Sequence, residues 1–228
     1  MKMMRTITIP ELRIAIKKMY RSAGFFQRIL CLGRPYICPF HILIMHVPPG
    51  ASILDIGCGS GLFINLLTYK KLVTRAIGID AAQRPIETAR RALKLIDTRA
   101  DVTFEHRPIE AGLPNCRLDV VSMIDVLHHI DPKQQRAAIE AAASRVADNG
   151  IILFKDITPR PLWRAWANRV HDLLLAQQWI NYVRDNEIED WMSQVGFRLI
   201  HKETINMWWY GHKLMIFRLD SGGKTGGH

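Results

Sequence analysis

Between residues 10 and 32, apolar positions recur at intervals of three and four. Leu12, Ile16, Met19, Ala23, Phe26 and Leu30 predict one amphipathic helix with a single apolar stripe. Arg13, Lys17, Arg21 and Arg28 fall on a separate, basic stripe. A second apolar stretch, residues 39–47, ends at Pro48-Pro49-Gly50. From residue 51 short apolar runs alternate with amphipathic segments. Strands are expected at 52–57, 75–80, 102–105, 118–124 and 150–156, with helices at 83–96 and 132–147. The run LDVVSMI at 118–124 is almost wholly apolar, as a strand covered on both faces must be. Asp131 and Pro132 supply an N-cap and a first-turn proline to the helix that follows, and Asn149-Gly150 its stop.

Residues 157–185 interrupt this rhythm and read as a helical insertion carrying Trp163, Trp166 and Trp179. A helix at 186–194 and strands at 197–203 and 212–219 complete the pattern. Strand–helix alternation at this spacing predicts an α/β chain with a doubly wound parallel sheet. The expected organisation is a basic helical cap over 1–47, one main domain over 48–219 and a glycine-rich, disordered tail over 220–228.

Composition excludes wholesale disorder, because 48% of the 228 residues are hydrophobic. A net charge of +10 points to an acidic partner, and its distribution changes that inference. Residues 1–50 hold eight Lys/Arg against Glu11 alone, which leaves the remaining residues close to neutral. Four cysteines without a C-x-x-C pair give no zinc or dithiol signature, so no metal site is expected. No apolar run approaches the ~20 residues of a membrane-spanning helix. The expected location is therefore cytoplasmic, with peripheral membrane association as an option.

The strongest chemical signal is ILDIGCGSGLF at 53–63, a predicted strand followed by a glycine-rich turn that opens a helix. Gly57, Gly59 and Gly61 allow a tight turn and close approach of a ligand to the backbone. Helix amides beyond the turn offer donors to a polar group. Asp80 ends the next strand, where an acid can accept hydrogen bonds from ribose hydroxyls. The dinucleotide spacing G-x-G-x-x-G would need glycine at position 62, which is Leu62.

The observed Asp55-Ile-Gly-Cys-Gly-Ser-Gly resembles motif I of class I S-adenosylmethionine (SAM)-dependent methyltransferases. The resemblance extends over residues 48–219 through DVVSMIDVLHHIDP (119–132), ASRVADNGIILFKD (143–156) and WMSQVGFRLIH (191–201). It is nearest to the branch acting on small metabolites and lipids, which includes quinone-biosynthesis enzymes. The resemblance implies a Rossmann-like seven-stranded sheet with its last strand antiparallel and SAM at the carboxyl ends of strands one, two and four. Residues implied to hold SAM are Asp55, Gly57, Cys58, Gly59, Gly61, Asp80, Ala81, Pro108, Ile109 and Asp125. Pro108 departs from the family pattern, which has an aspartate there for the adenine amino group. Ile109 can still pack on the adenine ring, and Glu105 or Glu110 can substitute for the missing carboxylate.

His128, His129 and Asp156 are the candidate catalytic residues. A histidine can take a hydroxyl proton near neutral pH, and Asp156 can orient a base or bind substrate. Their plainer reading is structural, as loop-bonding and capping groups. His171 lies in the insertion. Trp208, Trp209 and Tyr210 form an aromatic loop, either pocket wall or core.

The function expected is methyl transfer from SAM to a small-molecule or lipid-like acceptor, with oxygen slightly favoured. A tRNA or rRNA methyltransferase is the first alternative. The chain lacks the [DNS]-P-P-[FYW] signature after strand four and a suitably placed cysteine nucleophile, so nucleic acid is disfavoured. A non-catalytic scaffold would have no need of the three glycines and Asp80. The basic N-terminal helix suits an anionic membrane surface or an acidic carrier protein.

Overall fold

Thr8 starts the first helix. Its hydroxyl accepts from the Glu11 amide while its own amide donates to the Glu11 carboxylate at 3.0 Å, a reciprocal capping box. The computed structural model describes residues 7–158, 183–207 and 210–220. Two units divide the chain, residues 1–111 and 112–228.

In the first unit, α1 (Ile9–Met19) buries Leu12, Ala15, Ile16 and Met19. The single helix expected over 10–32 is in fact two. The chain breaks after Met19, where Tyr20 turns inward and is fully buried, and Gly24 adopts an extended ψ of 153° before α2 (Phe25–Ile37). The predicted stripe breaks with it, because Phe26 and Leu30 are exposed while Cys31 and Pro35 are buried instead. A short α3 (Phe40–Leu43) and a 3-10 turn follow. Then come β1 (Ala51–Ile56), α4 (Leu62–Tyr69), β2 (Val73–Asp80), α5 (Gln83–Leu93) and β3 (Asp101–His106). The three strands are parallel, in the order β3-β2-β1. β1 and β2 are apolar at their centres, as parallel strands covered by crossover helices require, whereas β3 buries Phe104 alone.

In the second unit, β4 (Leu118–Ile124) leads through a 3-10 turn into α6 (Pro132–Ala143). Asp131 caps α6 by accepting from the Lys133 amide at 2.9 Å. The helix ends at Ala143, short of the expected 147, and β5 (Val146–Ile157) begins at once. Asn149-Gly150 therefore sits inside a strand rather than at a helix stop. It takes up a shift in the β4–β5 register, where Leu118 pairs with Val146 but Val120 with Ile151. Asn149 has φ 64°, and a Cβ on Gly150 would lie 2.8 Å from the Asp119 carbonyl oxygen. Glycine here serves close strand approach.

The unit closes with α7 (Asp185–Gln194), β6 (Phe197–Met207) and β7 (Tyr210–Leu219), in the strand order β4-β5-β7-β6. β7 runs antiparallel to both neighbours. Ile139 and Ala142 of α6 and Ile188 and Met192 of α7 pack around Met123, Ile152, Phe154 and Phe217. Among the described residues the strands number seven, mixed, with β7 alone reversed, which is the Rossmann-like sheet the family resemblance implies.

Most of the proposed insertion, with Trp163, Trp166, His171 and Trp179, lies outside the described residues, as do Trp208, Trp209 and the tail from residue 221.

Candidate functional site

β1 delivers the glycine turn. Gly57, Gly59 and Gly61 have φ of 71°, 53° and 69°, a left-handed region costly for other residues. The amides of Gly57 and Cys58 donate to the Ile79 carbonyl at 2.8 and 2.9 Å, which ties the turn to the end of β2. Gly61 is needed for packing as well, since a Cβ there would stand 2.6 Å from that of Ala89 and 2.7 Å from the Phe104 ring. At Gly59 a Cβ would meet nothing within 4 Å, so this stretch of backbone is open to approach.

Asp80 closes the turn from the other side. One carboxylate oxygen accepts from the Gly59 amide and the other from the Ala82 amide, both at 2.8 Å. A carboxylate has about four lone-pair sites, so two remain for ribose hydroxyls. Open backbone at Gly59 beside a half-exposed, half-satisfied Asp80 fits a nucleoside ligand such as SAM. Ala81 is exposed, and its carbonyl is 3.0 Å from His106 Nε2. Pro108 and Ile109 are half-buried at the turn after β3. Glu105 is paired with Arg107 at 2.9 Å, and Glu110 is exposed. Asp55 is buried within β1. Cys58 turns inward, and burial, reinforced by Asp55 and Asp80, pushes its thiol well above the ordinary value. Burial likewise pushes Cys31 up to about 11, so neither is a reactive thiolate. None of the four cysteines is in a disulfide.

The turn is also held from the N-terminal helices, a feature that sequence reasoning missed. Tyr20 Oη donates to the Ser60 carbonyl at 2.8 Å and accepts from Asn65 Nδ2 at 3.0 Å. From α2, Gln27 accepts from the Ser60 hydroxyl at 3.0 Å. Two polar residues thus bracket Ser60 from the segment that reads as a cap. The available signal was an unusual one, a tyrosine and a glutamine interrupting apolar helical faces.

In the second unit, the carboxyl ends of β4 and β5 gather the other candidates. Asp125 follows β4 with φ 56°, a left-handed conformation that aspartate tolerates better than most residues. Lys155 holds it twice. The Lys155 carbonyl accepts from the Asp125 amide at 2.9 Å, and its ammonium donates to the Asp125 carboxylate at 2.5 Å. Lys155 is fully buried in β5, which makes the acid its charge partner. A lysine directly after the apolar run at 151–154 was the legible clue to this pair.

The 3-10 turn Leu127–His129 presents His128 inward, and its Nδ1 pairs with the buried Asp156 carboxylate. Burial opposes the charged imidazole, but the Asp156 charge and hydrogen bond, aided by Asp125, outweigh it, and the pKa is raised above the ordinary histidine value. Asp156 also accepts from the Ile157 amide at 2.8 Å. Gln135 of α6 steadies the turn, its amide donating to the carbonyls of Leu127 and Ile130 at 3.0 and 3.3 Å. His129 is exposed, with its ring 4.0 Å from that of His128. The structure therefore joins His128 with Asp156 and Asp125 with Lys155, and leaves His129 at the surface.

Residues 37–202 match the family described as "Methyltransferase domain". The chain belongs to that family. Within it, the methyltransferase domain is 26% identical over 159 residues to a ubiquinone biosynthesis O-methyltransferase of Alkalilimnicola ehrlichii, covering 66% of this chain and 62% of the relative. The protein of that name from Hahella chejuensis is 27% identical over 161 residues, covering 66% and 64%. This methyltransferase-domain chain thus spans a little under two thirds of the length of these curated relatives. Among solved structures, the N-methyltransferase NodS from Bradyrhizobium japonicum, in complex with S-adenosyl-L-homocysteine (SAH), is similar in fold. Its TM-score is 0.63 at 17% identity, covering 89% of this chain and 98% of that one.

Proposed function

We propose that this chain transfers the methyl group of SAM to a hydroxyl of a small or lipid-like acceptor, of the kind met in quinone biosynthesis. The observation that carries the reading is Asp80 closing the open glycine turn, in a chain of the methyltransferase-domain family. When bound, SAM supplies a methyl on a sulfonium, electrophilic enough to need no further activation. Gly57–Gly61 and Asp80 would hold it through backbone amides and ribose hydroxyls, with Pro108 and Ile109 offering apolar surface to the base.

The assignment of oxygen rests on His128. With Nδ1 donating to Asp156, the neutral imidazole keeps Nε2 as an acceptor for the hydroxyl proton. The Asp156 charge stabilises the imidazolium that forms, the usual work of a carboxylate behind a basic histidine. His128 Nε2 would take the hydroxyl proton as the acceptor oxygen takes the methyl that SAM would supply, with the electron pair staying on the sulfur of the departing SAH. The names of the curated relatives, both O-methyltransferases, support the same acceptor atom.

Two measurements test this. Calorimetric titration with SAH should show one site per chain, and absence of binding would sink the cofactor assignment. Incubation with methyl-labelled SAM and phenolic acceptors, with and without an isoprenoid tail, should give an O-methyl ether by mass spectrometry. Label on carbon or nitrogen instead would overturn the role given to His128.

A further inference from the structure

Helix α2 presents four large apolar side chains to solvent in its first two turns. Phe25 is 76% exposed, Phe26 80%, Ile29 52% and Leu30 55%. At about 100° per residue, Phe25, Ile29, Phe26 and Leu30 fall in that order around the helix, so the four make a continuous apolar face spanning roughly 140° of arc. The opposite side is accounted for, with Cys31 and Pro35 buried and Gln27 bonded to Ser60. Phe25 and Phe26 sit edge to face with ring centroids 6.1 Å apart, so the tip of the face is a pair of aromatic rings. Soluble surfaces rarely carry so much contiguous apolar area without a partner.

The charge beside this face identifies the partner. Residues 1–50 carry eight Lys/Arg against one acid. Arg13 and Lys17 lie four residues apart on α1, Lys18 is beside them and Arg21 follows just past the helix end, all four exposed. Ile14, 69% exposed, adds an apolar side chain to the same helix. Arg13 donates to the Tyr36 hydroxyl of α2 at 2.7 Å, which sets the basic helix directly against the apolar one. Apolar side chains flanked by cations are what an amphipathic element needs at an anionic bilayer, where it lies in the interface plane.

The length of the elements agrees. Among the described residues no single helix is long and apolar enough to cross a membrane. Phe25–Ile37 and Phe40–His46 together pass on length and composition, but they bend by 69° and bury Cys31, Pro35, Phe40, Leu43 and Ile44. One face of the pair is committed to the protein interior, which leaves the other to lie on a surface.

We propose that α2 docks the chain on anionic lipid membranes, with Phe25, Phe26, Ile29 and Leu30 entering the acyl boundary and the α1 cations meeting the headgroups. The proposal goes beyond the methyl-transfer reading and does not depend on it, since vesicle binding and SAH binding are separate measurements. It is tested by sedimenting the full chain with sucrose-loaded vesicles of phosphatidylcholine alone or mixed with phosphatidylglycerol. Binding to the mixed vesicles only, weakened by salt, is expected. Phe25→Ser/Phe26→Ser should lower the partition coefficient at least about tenfold, and Lys17→Glu/Arg21→Glu by a similar factor, with circular dichroism unchanged because all four side chains are exposed.

No sedimentation with anionic vesicles would overturn the proposal. So would binding that survives both double substitutions, or a dimer in sedimentation velocity that Phe25→Ser/Phe26→Ser dissociates while vesicles bind nothing. Should the Phe pair disturb folding, Ile29→Ser/Leu30→Ser reads the same face independently.

Discussion

Tyr20 donates its hydroxyl to the carbonyl of Ser60, forty positions along the chain, at 2.8 Å. The tyrosine is fully buried, and burial, aided by Cys31 and Cys58, raises its pKa well above the ordinary value, so the hydroxyl remains a donor. Its oxygen also accepts from Asn65, whose amide reaches the Ala89 carbonyl as well. The N-terminal helix thus contributes directly to the shape of the glycine turn rather than merely preceding it.

Tyr20→Phe should therefore act at two levels. It leaves the Ser60 carbonyl and one Asn65 donor without their partner, a loss of about 1–3 kcal/mol in unfolding free energy by urea titration. SAH affinity should fall several-fold at the same time, read by calorimetry on the folded variant. An unchanged affinity would show that the turn keeps its shape without the tyrosine.

The glycines of the turn should separate by cause. In Gly61→Ala the new methyl meets Ala89 and Phe104 inside 3 Å, so stability falls first, visible as a lower melting temperature. In Gly59→Ala the methyl meets open space, and the cost is the left-handed backbone alone, about 1–2 kcal/mol. Its larger effect should be on SAH affinity, because the methyl stands where a ligand would approach the backbone.

Asp80→Asn replaces one acceptor oxygen by a donor that faces an amide hydrogen, either of Gly59 or of Ala82. SAH binding should weaken at least about tenfold, near 1.4 kcal/mol. Isothermal titration checks this, with circular dichroism to confirm the fold.

The His128–Asp156 pair predicts two pH effects of opposite use. In its proposed role as base His128 must be neutral, so activity should rise with pH through a pKa above the ordinary 6.5. Asp156→Asn should move that limb to lower pH and reduce the maximal rate. For stability the direction reverses. A folded pKa above the unfolded one means the pair's contribution is complete below about pH 6.5 and is lost as pH rises through the folded value. Urea midpoints across this window, compared between wild type and Asp156→Asn, measure the contribution.

Lys155→Met should be the most destabilising of these changes, about 3–5 kcal/mol, because it leaves the Asp125 carboxylate largely buried without its cation. Removing both charges in Asp125→Ala/Lys155→Met should recover part of the loss, which a double-mutant cycle by urea unfolding would quantify.

Much of the fold was legible because strand and helix periods differ. The runs at 52–57, 75–80 and 118–124 each sit on an observed strand, since a parallel strand covered on both faces must be apolar throughout. The glycine turn and Asp80 were legible because positive φ and an acid at a strand end demand particular residue types. The break at residues 20–24 was not, because a period of 3.6 runs through Tyr20 and Gly24 without interruption in the apolar pattern. What decides the break is the burial of one tyrosine against Ser60 and Asn65, a contact made across forty residues. Asn149-Gly150 misled for a related reason, since the dipeptide that stops a helix also absorbs a strand irregularity, and only pairing with β4 distinguishes the two.

The sequence by itself thus determined the order of the strands, the family, the glycine turn with Asp80 and the basic character of the first fifty residues. The tertiary structure decided which of two adjacent histidines meets Asp156, that Lys155 holds Asp125, and that Phe25, Phe26, Ile29 and Leu30 face outward. Each of the latter depends on a partner or a vacancy far away in the chain. Local propensity carries no record of distant contacts, whereas packing creates them.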